Sequence, residues 1–155
     1  MSIIIRSVVL MLFLGIFLAV GTSHASFDEG VAAANEGQYG TAFQEFSVLA
    51  EQGDSRAQQA LAWMYYEGQG RKKDFEKAAY WYGKAAEQGN VTAQINLAQM
   101  YAYGKGVTQD FSIAAKWWTV LAEQGDRKAQ SALAGLYYHG NGKEHNLSKA
   151  FELWQ

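Results

Sequence analysis

Four aromatic side chains, Trp63, Tyr66, Tyr103 and Tyr138, recur at related points of one pattern and can supply the large contact areas in which binding energy concentrates. Arg56, Gln59, Glu67, Ile95, Gln99, Lys128 and His139 share the same register and add charge, hydrogen bonding and apolar surface. This is the chemistry of recognition, because nothing in the set activates a nucleophile. The histidines, His24, His139 and His145, have no cysteine with which to complete a metal site. No serine lies in a Gly-x-Ser-x-Gly element. The paired glycines at 68 and 70, 104 and 106, and 140 and 142 follow helical stretches, so they read as helix terminators and not as a phosphate cradle. We therefore expect no catalytic residue, no metal and no cofactor. Arg71-Lys72-Lys73 is a basic run in one loop only and reads as solvated. Asn146-Leu147-Ser148 has the form of a glycosylation acceptor, but Asn146 is wanted as a helix cap.

The elements that position these side chains come from a repeat. Ala50-Glu51-Gln52-Gly53 returns as Ala86-Glu87-Gln88-Gly89 and as Ala122-Glu123-Gln124-Gly125, each step being 36 residues. Leu61, Leu97 and Leu133 keep the register, as do Gln58, Gln94 and Gln130, and Tyr65, Tyr101 and Tyr137. Each unit divides into two helices with apolar residues spaced by three and four. Ala57, Leu61, Met64 and Tyr65 share a face of the first helix, and Phe75, Ala78, Ala79, Tyr82, Ala85 and Ala86 share a face of the second. Asp54, Asn90 and Asp126 stand at N-cap positions of first helices, and Asp74, Asp110 and Asn146 at those of second helices. The glutamines at 58, 94 and 130 are expected to satisfy a neighbouring backbone group.

Core positions keep their chemistry between units, whereas Arg56, Gln59, Trp63, Tyr66 and Glu67 do not. At 3.6 residues per turn these five occupy an arc of about 100°, opposite Leu61. Their counterparts are Thr92, Ile95, Gln99, Ala102 and Tyr103, then Lys128, Ser131, Gly135, Tyr138 and His139. In stacked helix pairs this arc lines the inner curve. The alternative is that some of these rings pack on the adjoining loop.

The units resemble the Sel-one-like repeat family, a relative of the tetratricopeptide repeats, with the pattern A-E-Q-G-x-x-x-A-Q-x-x-L-x-x-x-Y-x-x-G-x-G-V-x-x-D-x-x-x-A-x-x-W. Gly104-Lys105-Gly106-Val107-Thr108-Gln109-Asp110 follows it closely, with Thr108 where the family often has proline. The resemblance covers residues 50 to 155. It implies an all-α, right-handed α/α superhelical solenoid of antiparallel helix pairs that serves as a scaffold for protein complexes. Residues 27–50 look like a shorter tetratricopeptide-like pair, followed by units at 51–86, 87–122 and 123–155, the last one truncated. Its final helix would leave Phe151, Leu153 and Trp154 without a following repeat. That predicts end-to-end self-association or a piece of a longer repeat protein.

Residues 1–25 read as a secretory signal: Arg6, an apolar run from Val8 to Val20, then Gly21-Thr22-Ser23-His24-Ala25 before a cut that leaves Ser26 first. An uncleaved anchor is the competing reading, but 13 apolar residues fall short of the ~20 that span a bilayer. Membrane contact would then be transient, through the leader alone. Net charge is −2 over the 155 residues and −3 without Arg6, and no basic footprint for nucleic acid is visible. With no cysteine and no proline, and 49% hydrophobic residues, the fold must hold by helical packing alone. The expected function is a non-enzymatic adaptor, periplasmic or secreted, holding a peptide or protein partner. A glycan reader that stacks sugars on the groove aromatics is the second expectation, and an envelope hydrolase the third.

Overall fold

The structure, a computed structural model, describes residues 26–155. The expected leader lies outside the described residues. Eight helices follow in order: α1 (Phe27–Asn35), α2 (Tyr39–Glu51), α3 (Ser55–Glu67), α4 (Phe75–Glu87), α5 (Val91–Tyr103), α6 (Phe111–Glu123), α7 (Arg127–His139) and α8 (Leu147–Trp154). Among the described residues there is no strand. Helices that are consecutive in sequence pack most closely, as a solenoid of helix pairs requires.

The helices begin and end where the side chains dictate. Asp54, Asn90 and Asp126 accept bonds from N–H groups in the first turns of α3, α5 and α7. Asp74, Asp110 and Asn146 do the same for α4, α6 and α8. Each such cap contributes about 1 kcal/mol by satisfying donors that the helix cannot. The first glycine of each Gly-x-Gly element, at 68, 104 and 140, closes a first helix in the left-handed conformation.

The second glycine does something that helix termination does not cover. A side chain on Gly106 would collide with the backbone of Phe75, and one on Gly142 with that of Phe111. The loop of one unit thus seats against the start of the second helix of the unit before, and only glycine lets the backbones meet.

Alanines fill the contacts between helices: Ala57, Ala62, Ala78, Ala85, Ala93, Ala98, Ala114, Ala115 and Ala134 are buried. Larger rings tie the units together. Tyr65 and Trp81 pack against both the cluster around Leu61 and the one around Tyr82, and Tyr101 and Trp117 bridge the latter to the cluster around Leu121. Recurrence of these residues at the repeat period therefore reflects burial between modules.

The glutamine expectation holds. Gln58 Nε2 donates to the Ala50 carbonyl at 3.1 Å, Gln94 Nε2 to Ala86 at 3.1 Å, and Gln130 Nε2 to Ala122 at 3.3 Å. Gln88 Nε2 in turn donates to Gln58 Oε1 at 2.7 Å, which gives the Ala-Glu-Gln-Gly glutamine a role across the fold.

Candidate partner-binding groove

The first helices α3, α5 and α7 carry the side chains that vary from unit to unit. Between α5 and α7 the surface opens into a hollow of about 330 Å³. Ile95, Gln99 and Tyr103 form one wall, Lys128, Gly135, Leu136 and His139 the other, and Phe111 and Trp118 of α6 contribute to the lining. Five residues of the expected binding arc, Ile95, Gln99, Tyr103, Lys128 and His139, thus converge. A second hollow of about 240 Å³ contains Tyr66, Asn96, Gln99, Met100, Tyr103 and Lys105. The two share Gln99 and Tyr103.

The larger hollow exists because two of the varying positions are small. Where the other units have Tyr66 and Tyr138, the middle unit has Ala102, only 5% exposed. Where they have Trp63 and Gln99, the last has Gly135, and a Cβ added there would touch nothing within 4 Å. Ala102 is therefore lining and not a projecting contact. Tyr103 at the rim is 79% exposed, the most exposed large ring of the chain's described part.

The remaining expected residues are engaged to different degrees. Tyr66 is half-buried: its ring meets Phe75 edge-on at 5.1 Å, and its hydroxyl accepts a 2.6 Å bond from Lys105 Nζ of the next unit. Packing on the adjoining loop, the alternative noted for these rings, thus describes part of the Tyr66 surface. Tyr138 turns toward α8, with its ring centroid 5.8 Å from that of Trp154. Arg56 lies over the Phe27 ring at 4.5 Å and pairs with its own cap Asp54 at 3.3 Å. Gln59 is half-buried, Trp63 and Glu67 are exposed on α3, and none of these four α3 residues lines either hollow. The groove accordingly centres on α5 and α7 and touches α3 through Tyr66.

One feature of the surface escaped the reading of the sequence. A hollow of about 740 Å³ lies between the second helices α4 and α6, with Tyr80, Ile113, Trp117 and Val120 in its walls. Trp81 and Trp117, which recur at the repeat period, were the signal that second helices also carry large rings.

Among the described residues no three His, Cys, Asp or Glu side chains gather as metal ligands, and no helix is long and apolar enough to cross a membrane.

A family model described as Sel1 repeat matches residues 55–90, 91–126 and 127–155. The fold is similar to that of a protective antigen with an SLR fold from uropathogenic Escherichia coli, at 36% identity and a TM-score of 0.76. That match covers 82% of this chain and 28% of the antigen. A Sel1 repeat protein from Oxalobacter formigenes matches at 31% identity and a TM-score of 0.74, over 83% of this chain and 53% of the other. Cysteine rich protein B of Helicobacter pylori matches at 28% identity and 0.53, over 57% of this chain and 66% of the other. The chain thus spans about a quarter to a half of the length of the first two. No curated protein matches the sequence significantly.

Proposed function

This chain belongs to the Sel1 repeat family, and on that footing we propose that it is a non-enzymatic adaptor outside the cytoplasm that holds a peptide segment of a partner protein. Sel1 repeat proteins are protein-interaction scaffolds, typically without catalysis. The observation that carries the reading is the hollow between α5 and α7, opened by Ala102 and Gly135 and bordered by Tyr103.

Its lining suits one large apolar side chain of an extended peptide. Ile95, Ala129, Ala132, Leu136 and Trp118 offer apolar contact, while Gln99, Lys128 and His139 stand at hydrogen-bonding positions for peptide carbonyls or a carboxylate. Burial of a leucine- or phenylalanine-sized side chain would contribute about 2 kcal/mol, with Tyr103 closing over it as a rim anchor. Export is supported by the composition of residues 1–25, and by the description of the Escherichia coli relative as a protective antigen.

The test is selection of peptides from a displayed library on the chain 26–155, followed by titration of the selected sequences. Enrichment of peptides with a shared large apolar residue, competing with one another, is the expected outcome. Failure of every peptide beside saturable binding of cell-wall glycan fragments would replace this reading with glycan recognition.

A further inference from the structure

We propose a second, independent site on this chain, a receptor for a multiply charged phosphoryl group formed where the loop between α3 and α4 folds against α2. A hollow of about 550 Å³ is lined there by Phe43, Tyr65, Asp74 and four cations, Arg71, Lys72, Lys73 and Lys77. The volume lies in the range of small-molecule sites, about 300–1,000 Å³.

The full cluster belongs to this unit and not to the repeat, since the last unit keeps only Lys143 and Lys149 of the four, beside Glu144. Four cations against Asp74 leave a local charge of +3 in a chain whose net charge is −2. At the corresponding loop positions the next unit has Val107, Thr108 and Gln109, with Ile113 in place of Lys77. Val107 packs against the apolar core. Arg71 does something else: its guanidinium lies over the Phe43 ring at 4.7 Å. Stacking fixes the plane of the guanidinium and leaves its N–H edges free, the geometry that grips a phosphoryl group in two places. Lys77 is held over the Tyr65 ring at 5.4 Å and by Asp74 at 3.4 Å.

Among the described residues no carboxylate forms an ion pair with Arg71, Lys72 or Lys73, and all three are exposed. Like charges gathered in one concavity repel one another and attract a counter-charge. A lone carboxylate neutralises one of three; a phosphate monoester, at about −1.5 to −2, or a pyrophosphate matches the cluster better. The group can come from a soluble phosphate ester or from the headgroup of a phosphomonoester lipid.

Calorimetric titration of the chain 26–155 with inorganic pyrophosphate tests this, with citrate as the carboxylate of similar charge. Saturable pyrophosphate binding is expected, weakened at least tenfold in Arg71→Gln, Lys73→Gln and unchanged in Lys84→Gln, Lys116→Gln, which removes the same charge from the outer face. Vesicles containing phosphatidic acid, compared with phosphatidylcholine alone, identify the source: sedimentation with the former that pyrophosphate reverses assigns the lipid headgroup, and its absence beside pyrophosphate binding assigns a soluble ester. No saturable pyrophosphate binding, equal binding of citrate, or indifference to Arg71→Gln, Lys73→Gln overturns the proposal. A folded control by circular dichroism accompanies each variant. Because these residues lie outside the α5–α7 groove, failure here leaves the peptide reading untouched.

Discussion

Gly106, at a φ of 72°, backs directly onto the main chain of Phe75 in the preceding unit, so that a Cβ on Gly106 would run into the Phe75 carbonyl. Gly53 has a φ of 96° yet faces open space. The two glycines separate conformational strain from steric contact. Gly53→Ala should cost about 1–2 kcal/mol, the left-handed penalty alone. Gly106→Ala should cost about 3 kcal/mol or more, since it adds displacement of a neighbouring helix start. Urea unfolding midpoints of the two variants provide the comparison, and equal losses would mean that the units do not meet at this glycine.

The buried glutamines predict a graded effect. Gln58 makes two bonds, to the Ala50 carbonyl and from Gln88, whereas Gln94 bonds Ala86 and its Oε1 has no partner. Replacement by methionine removes the side-chain bond to each carbonyl, which keeps its bond from the Gly53 or Gly89 N–H, so each lost bond costs about 1 kcal/mol. Gln58→Met should therefore lower stability more than Gln94→Met, as measured by chemical denaturation.

Acid should weaken the fold through its caps. Burial raises the Asp54 carboxyl, but bonds from the Ala57 and Arg56 N–H groups and the Arg56 guanidinium outweigh it and hold the group below the usual carboxylate range. The Lys77 N–H, followed by its ammonium, holds Asp74 below that range as well. A depressed folded value means that the contribution is complete above the unfolded value of about 3.9 and is lost as pH falls through the folded one. Asp54→Asn, Asp74→Asn keeps the capping oxygens, as Asn90 and Asn146 do, without the titration. Its melting temperature should fall less between pH 5 and pH 2 than that of the parent chain.

Within the groove, loss of the rim ring should matter more than loss of the α3 side chains. Tyr103→Ala is expected to weaken a selected peptide about tenfold or more, as interface anchors do. Arg56→Ala should leave affinity within about twofold, because Arg56 spends its contacts on Phe27 and Asp54. Fluorescence anisotropy with a labelled peptide measures both.

Much of the fold was legible because a solenoid writes its core once per unit. Leu61, Tyr65 and Gln58 recur since each meets the same neighbour in every module, and Asp54 and Asp74 mark helix starts by chemistry confined to a few residues. The second glycines were harder to read. Their requirement comes from a helix start 31 residues earlier, as Gly106 and Phe75 show, and nothing in the loop itself announces it. The site was legible as a face and not as a cavity. Varying positions pointed to the arc, but the hollow is made by Ala102 and Gly135, whose contribution is the side chain they lack. The engagement of Tyr66 depends on Lys105, 39 residues away, in the loop of the next unit. The basic hollow needed Phe43 of α2 and the loop at 71–73 to be brought together, a relation that helical periodicity does not encode.

The most direct measurement is the affinity of a selected peptide for Gly135→Trp, which restores at α7 the residue that α3 carries as Trp63. An added Cβ has open space there, and removing a glycine from a helix interior should raise stability by up to about 1 kcal/mol. The expected result is a chain as stable as the parent or more so whose peptide affinity falls at least tenfold, since the indole fills the space between α5 and α7. Undiminished affinity in a folded Gly135→Trp would contradict it.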